Sequence, residues 1–492
     1  MNNVVTVPAD RLRVLVDEPL TSRGRYILYW MTAYRRTRHN DALDRAIELA
    51  KDTGLPIVVM EGLRAGYEWA SDRHHKFVLD GMRANQASFA GGPILYYPYV
   101  EPKPGAGAGM LRAMAKDAAA VIGDDWPGFF HPHMLPAAAK QLKKAGVRFE
   151  VVDACGLVPF RAAQRTFGRA VDFRRYIQKN VGAFVMHRPM AQPTRAKVEG
   201  GAEISDEVTS KWPSADDAML AGDRLDELPI DHDVGVVPIE GGQDAARRRW
   251  REFFERDLEA YAEGRNHPDD DRASRLSPYL HFGHIGIHEI FGDIVEGAKW
   301  SPDQLGKANA SRTGFWGLSE GAEAFIDELI TWRELTHHTA HRVAGYRDFE
   351  SLPDWARATM DDHREDARDV YGLEALENAE TDDPIWNAAQ RELVRDGRMH
   401  NYLRMLWGKK IYAWSPTPER ALEIMVHLNN KYALDGRDPN SYGGIFWVLG
   451  RYDRPWGPER PIFGKLRYMT SDSTQKKLRM KKYLAGERGF DF

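Results

Sequence analysis

Residues 26–60 read YILYWMTAYRRTRHNDALDRAIELAKDTGLPIVVM: a short apolar run, a helix-like amphipathic stretch, and a second apolar run. The runs Tyr26–Met31 and Ile57–Met60 are nearly continuous in apolar side chains instead of alternating. Continuous runs mark strands buried on both faces, as in a parallel sheet covered by helices. The stretch between them, Asn40–Thr53, fits a crossover helix. Moving outward, Ile94–Tyr97, Ala119–Ile122 and Phe149–Val152 repeat the run, and Arg73–Phe89 repeats the amphipathic stretch. This alternation over residues 1–155 predicts a Rossmann-like parallel α/β domain. No G-x-G-x-x-G follows the first strand and no G-x-x-x-x-G-K-[ST] occurs, so the common phosphate-cradling loops are missing. A dehydrogenase built on this sheet is therefore a poor reading.

Residues 191–240 change character. Pro193, Gly200, Gly201, Pro213, Pro229 and Pro238 are scattered among many acids, which predicts a surface linker, in part disordered. From 241 onward the spacing is helical, through Ala245–Glu263, Ala322–Val343, Ile385–Asp396, His400–Ala413 and Pro418–Ala433. The expected organisation is an α/β domain over 1–190, a linker over 191–240 and an all-α domain over 241–492.

Composition narrows the function. A 492-residue chain has ample length for a large core, and its net charge of -4 confines any nucleic-acid site to a local basic patch. Cys155 is the single cysteine, which excludes a disulfide framework and a cysteine-rich metal site. No metal site is expected. The N-terminal 25 residues carry no apolar signal core and no stretch is apolar enough to span a membrane. The expected location is the cytoplasm. Fourteen tryptophans, most of them in the C-terminal half, are unusual.

Three segments invite chemistry. In Ser274-Arg-Leu-Ser-Pro-Tyr-Leu-His-Phe-Gly283, Ser274 or Ser277 can cap a helix whose exposed N–H groups suit a phosphate, although a plain capped helix has the same signature. Asp435-Gly-Arg-Asp-Pro-Asn-Ser-Tyr-Gly-Gly444 reads as a tight polar loop, an ordinary surface feature except that it feeds the buried run Ile445–Gly450. Finally, Arg451, Arg454, Arg460, Lys465 and Arg467 interleave with Tyr452, Trp456, Phe463 and Tyr468, and Lys476–Lys482 adds five cations in seven residues. Cations neutralise phosphates and aromatics stack on unpaired bases. A charge run is as often a solvated tail.

Together these segments resemble the photolyase/cryptochrome superfamily, and in particular the class II cyclobutane-pyrimidine-dimer photolyases. The similarity runs through Tyr26–Met31, Arg73–Phe77, Leu276–Gly283, Trp386–Gln390, Met399–Lys410, Leu434–Tyr442 and Arg460–Met469. It covers nearly the whole chain outside the linker.

The resemblance implies FAD, active in its fully reduced anionic form, bound in the helical domain. Tyr261, Ser274, Leu276, Ser277 and Leu280 would line it, with Ala273 standing where a Thr is frequent. Arg404 and Asp435 would sit beside the isoalloxazine ring and Asn429 near its N5. It implies a substrate of double-stranded DNA carrying pyrimidine dimers, flipped out for repair by light-driven electron transfer. Glu334 and Met405 would meet the lesion, Trp447 and Trp456 would cradle it, and Arg451, Arg454 and Lys465 would hold the backbone. Trp407, Trp386 and Trp414 would form the photoreduction series. No obligate protein partner is implied, and the chain is expected to act as a monomer.

Two regions depart from the pattern. Trp332 replaces a basic residue, and His337, His338 and His341 stand where Asn, Phe and Cys are typical. Histidine near the lesion is a trait of (6-4) photolyases, so (6-4) activity is one alternative, and a cryptochrome-like photoreceptor is another. The short basic segment after Met469 favours repair over signalling. Asp124–His133 alters the region that helps hold a deazaflavin antenna, so the antenna could be 8-hydroxydeazaflavin, another chromophore or none.

Overall fold

The computed structural model describes residues 6–486. The chain divides into two compact units. Met1–Ala162, Ala183–Arg251 and Leu276–Lys299 form one; Ala163–Gly182, Glu252–Arg275 and Trp300–Phe492 form the other.

The first unit is built on a six-stranded sheet: β1 (Leu12–Val16), β2 (Tyr26–Met31), β3 (Ile57–Leu63), β4 (Leu95–Val100), β5 (Ala118–Asp124) and β6 (Arg148–Val152). The order is β1-β6-β5-β2-β3-β4. Neighbours pair parallel except β1, which joins β6 antiparallel. The five apolar runs became β2–β6. Sequence reading missed β1 because Leu-Arg-Val-Leu-Val is an edge strand with Val14 turned to solvent, so no buried run announces it. Arg11 fastens its start, donating from a buried guanidinium to the carbonyls of Asp153, Gly156 and Leu157.

Helices α1 (Asp41–Thr53), α2 (Asp72–Phe89), α3 (Met110–Ala115) and α4 (His131–Ala145) cover the sheet. α1 starts where the Asn40 side chain accepts from Ala42 and Leu43 N–H, and stops at Gly54 with φ +69°.

Boundaries fall elsewhere than at 190 and 240. Residues 163–182, with helix α5 (Ala170–Asn180), pack in the helical unit, whereas 183–251 pack with the sheet. The Pro/Gly-rich stretch contains α6 (Asp206–Lys211) and α7 (Asp217–Ala221). Trp212 anchors it: the ring is buried with Tyr97 and Tyr99, and its Nε1 donates to Ala106 O. Burying one such side chain stabilises by roughly 1.5–3 kcal/mol. Met219 and Leu220 pack on Val78, Leu79 and Met82 of α2. Composition pointed to a draped linker; a few well-spaced apolar residues suffice to seat it.

The second unit is helical. It contains α8 (Glu320–Ile326), a π-helical turn over Asp327–Trp332, and α9 (Arg333–Arg342), so the helix expected over 322–343 is interrupted by one wide turn. Then follow α10 (Pro384–Asp396), α11 (Asn401–Trp414), α12 (Pro418–Tyr432), α13 (Pro439–Val448), α14 (Ser471–Lys477) and α15 (Lys481–Ala485). Three start alike. Asp383, Thr417 and Asp438 cap α10, α12 and α13 with a side-chain oxygen, each followed by Pro at the first helical position, where no N–H is lost. The polar loop expected over 435–444 thus ends at Asp438, because Asp438-Pro439 is a helix start. The serines at 274 and 277 do not cap as expected: the turn Ser277–His281 has Leu276 at its N-cap and no side-chain cap.

Candidate functional site

Helix α11 sets the frame. Arg404, Trp407 and Trp414 fall at spacings of three and seven, which puts them on one stripe. Arg404 donates from both terminal nitrogens to the Asp435 carboxylate, at 3.3 and 3.2 Å. Trp407 is buried and donates from Nε1 to Gln390 Oε1 at 2.8 Å. Trp386, 0% exposed, donates from Nε1 to the backbone carbonyl of Trp407 at 3.0 Å. Its ring meets Trp414 edge-on, with centroids 5.5 Å apart and planes at 75°. Trp414 continues the contact to Tyr371, at 5.1 Å, and Lys410 lies 5.2 Å over its ring while pairing with Asp383. Trp407, Trp386 and Trp414 are therefore brought together as expected, each indole of the inner pair held by a hydrogen bond. Tyr371 was missed, since nothing marks a tyrosine so far upstream as a neighbour of Trp414.

Asn429 near the end of α12 is buried. Its Nδ2 donates to Ser441 Oγ at 2.7 Å and Asn430 Oδ1 at 3.1 Å. The side-chain amide thus has its donors engaged, and what it can offer a ligand is an acceptor, Oδ1. Asn430 in turn donates to Tyr442 and accepts from Arg437 N–H, locking the turn that carries Asp435. Gly443 brings α13 hard against α9: a Cβ there would overlap the Thr336 methyl. Glu334 is buried in the first turn of α9, and Met405 is half-buried on α11.

The N-terminal end of α11 rests on a charged network that sequence reading did not find. Asp271 pairs with Arg275 and Arg398, Arg398 lies 3.6 Å from Glu392, and Glu392 accepts from His400 N–H and Tyr483 O–H. Burial pushes the Glu392 carboxyl up, and the Arg398 charge works against it. The signal was faint, because these residues are spread over 271–483.

Tyr261 is buried edge-on to Phe253 and Phe325 with Arg265 over its ring, and burial raises its phenol. Ser274 belongs with it to the helical unit, whereas Leu276, Ser277 and Leu280 belong to the sheet unit.

The basic-aromatic segment forms a rim. Arg467 lies 5.4 Å over Trp447 and 4.0 Å over Trp456, and Arg454 lies 4.2 Å over Trp456. Asp453 accepts from both Trp456 Nε1 and Arg467 Nε at 3.1 Å. Both indoles are half-buried, Arg454 is exposed, and Lys465 is exposed beside Glu459. Arg451 is not on the rim surface. It is 5% exposed, donates to Tyr346 O and Ser351 Oγ, and stacks 3.9 Å over Phe446; burial lowers its pKa. Beneath Trp447, the buried Lys409 ammonium donates to Val448 O, and burial pushes its pKa down to about 7. Of the histidines, His338 contacts the carbonyl of Arg165, and His337 hydrogen-bonds Arg333 O with Nε2 3.9 Å from Asp438. Among the described residues no metal-binding cluster occurs and no helix is long and apolar enough to cross a membrane.

The fold is that of the photolyases and cryptochromes. A class III photolyase from Agrobacterium tumefaciens superposes with a TM-score of 0.69 over 95% of this chain and 87% of its own, at 16% identity. A cryptochrome from Synechocystis superposes at 0.66 over 93% and 87%, at 15% identity. No family profile matches the chain. The deoxyribodipyrimidine photo-lyase of Methanothermobacter thermautotrophicus is 34% identical over 98% of this chain and 99% of its own length. That of Arabidopsis thaliana is 30% identical over 99% and 94%. The chain belongs to the deoxyribodipyrimidine photo-lyase family of enzymes.

The donor set fits a flavin. A guanidinium held by one carboxylate suits the polar edge of an isoalloxazine ring, and an amide left with an acceptor suits a ring N–H, which a flavin carries at N5 only when reduced.

Proposed function

We propose that this enzyme is a class II photolyase that repairs cyclobutane pyrimidine dimers in double-stranded DNA with light, using FAD in its reduced anionic form. The observation that carries the reading is the series Trp407–Trp386–Trp414: Trp407 and Trp414 share one stripe of α11 with Arg404, and Trp386 joins them from α10, pinned to the Trp407 carbonyl and edge-on to Trp414. When bound, the flavin would supply the electron that splits the dimer and receive it back.

The residues supply the rest. Arg404, neutralised in part by Asp435, fixes a positive edge for an anionic ring, and Asn429 Oδ1 accepts a ring N–H. Indoles are oxidisable, and hydrogen bonds hold the inner two at fixed spacing, so the series would relay electrons inward from Trp414 once a flavin is bound, with Tyr371 extending it outward. Tyr261 and Ser274 of the helical unit would line a further part of the cofactor. Trp447 and Trp456 offer the flipped dimer two aromatic faces, and flipping costs least at a lesion whose pairing is already weakened. Glu334 hydrogen-bonds the lesion carbonyl, Met405 packs beside it, and Arg454, Lys465 and Arg467 meet phosphates.

Cyclobutane dimers are favoured over (6-4) products because His338 is committed to the Arg165 carbonyl and His337 to the Arg333 carbonyl. A second chromophore, if present, belongs at the β5/β2 switch point of the sheet, where Trp126, Phe129 and Phe130 follow β5. The test is repair of oligonucleotides carrying either lesion, in blue light and in darkness. Light-dependent loss of the cyclobutane dimer alone is expected; no loss of either lesion refutes the reading.

A further inference from the structure

Residues 163–182 form a strap in the helical unit with five cations and one acid: Arg165, Arg169, Arg174, Arg175 and Lys179 against Asp172. For a chain of net charge -4 this is a strong local excess. Only Arg174 turns inward, where it makes a two-pronged ion pair with Asp327 at 2.6 and 2.8 Å. Arg165, Arg169, Arg175 and Lys179 are exposed.

The backbone beneath these cations is fastened at several points. Arg342 of α9 donates to Ala163 O and to Gln164 Oε1, both at 2.7 Å. His338, one turn earlier, reaches the Arg165 carbonyl at 2.7 Å, which requires the proton on Nε2. Its ring lies against Phe167 and Phe173. Gln178 donates to Ser311 O and accepts from Ala310 N–H. A parallel bridge joins Arg169 to Tyr452, in the loop that also carries Arg454 and Trp456. The strap is thus continuous with the basic-aromatic rim, and the helix bearing Glu334 holds it. Rigid backbone under exposed cations is what recognition of a repeating polyanion needs, because little side-chain and loop ordering remains to oppose binding.

We propose that this strap is a second phosphate-binding edge for the DNA duplex, and that His338 is the positioning residue that sets it beside the lesion rim. The proposal rests on the DNA-repair reading above. From Arg169 to Lys179 the helix rises about 15 Å, roughly the axial length of four to five phosphates on one strand. Arg165, Arg169, Arg175 and Lys179 can therefore follow one strand flanking the flipped dimer. The chain's histidine at 338 acts here as a backbone clasp rather than a proton donor to the lesion.

The experiment is the salt dependence of binding to a duplex carrying one cyclobutane dimer, with flavin-loaded full-length protein. In the quadruple variant R165Q/R169Q/R175Q/K179Q the slope of log K against log salt should fall by about 0.9 for each lost phosphate contact, close to 3–4 in total. These positions are exposed, and unchanged melting temperature and flavin absorbance would verify the fold. H338F keeps a ring against Phe167 and Phe173 but cannot donate; it should lower the slope and affinity partway, and H338Q, which can donate, should restore them. A wild-type slope in the quadruple variant overturns the edge while leaving light-driven repair by the wild-type chain intact. A wild-type slope in H338F, or no recovery in H338Q, overturns the clasp. Should the wild-type chain neither bind the damaged duplex nor repair it in blue light, the repair reading and the strap fall together.

Discussion

The tryptophans of α10 and α11 and those of the rim are the same residue in opposite settings. Trp386 and Trp407 are buried and pinned through Nε1 to a backbone carbonyl and a glutamine. Trp447 and Trp456 are half-buried and faced by guanidinium groups, with Trp456 tethered to Asp453. The first pair suits a task in which distance must not change. The second suits one in which cations can slide from an indole to a phosphate as a base takes their place, since a cation–π contact at a wet site contributes only about 0.5–1 kcal/mol. Burial and partners, more than residue type, separate the two sets, and the proposed roles of electron carrier and lesion cradle rest on that difference.

The largest effect should come from the pinned pair. Trp386→Ala should destabilise the helical unit by about 3–5 kcal/mol, read from denaturant unfolding, because losing a fully buried indole leaves a cavity. Trp407→Phe keeps most of the packing; it should stop flavin photoreduction while enzyme reduced chemically still repairs. Photoreduction at the wild-type rate would remove the contrast between the two tryptophan sets.

Arg451 and Arg454 sharpen the contrast within one loop. Arg451→Ala should cost about 2–3 kcal/mol, since the Tyr346 carbonyl and Ser351 hydroxyl lose a charged donor, with the salt slope of DNA binding unchanged. Arg454→Ala should change stability by less than about 0.5 kcal/mol and reduce the salt slope by about 0.9. An Arg451→Ala variant with normal stability and a reduced slope would move Arg451 to the surface.

Lys409, below the rim, gives a pH signature. Its folded pKa lies near 7, below the ordinary lysine value of 10.5. Between those values the unfolded chain holds more protons than the folded one, so this group makes stability rise with pH, and its penalty is complete below pH 7. Lys409→Met should therefore gain on the wild type most at pH 6, with the gap narrowing toward pH 10 in thermal melts. A constant gap would mean that the ammonium stays charged throughout.

What could be read from sequence follows from the range of the interactions. The five central strands and the starts of α10 and α12 follow apolar runs and helical spacing, whereas the start of α13 at Asp438-Pro439 reads as part of a polar loop. β1 hid because an edge strand needs only half a pattern. The seating of 206–228 hid because Trp212 finds Tyr97 across more than a hundred residues. At the site, the family pattern singled out Arg404, Asn429 and the tryptophans. It could not distinguish Arg451, turned inward to Tyr346, from Arg454, turned to water, because both stand in one run of cations. Nor could it reveal that His338 grips the Arg165 carbonyl, a contact that exists only once 163–167 has folded back onto α9.

The π-helical turn over Asp327–Trp332 lies immediately before Glu334. One extra residue in a turn advances everything after it by about 100° around the helix axis. Glu334, His338 and Arg342, which fall within about 80° of one another around α9, thus owe their facing to a single peptide unit. Removing one residue from 327–332 would let the helix run on as a plain α-helix and rotate the whole set together. Glu334 and His338 would leave their present surroundings in the same step, like teeth on one gear.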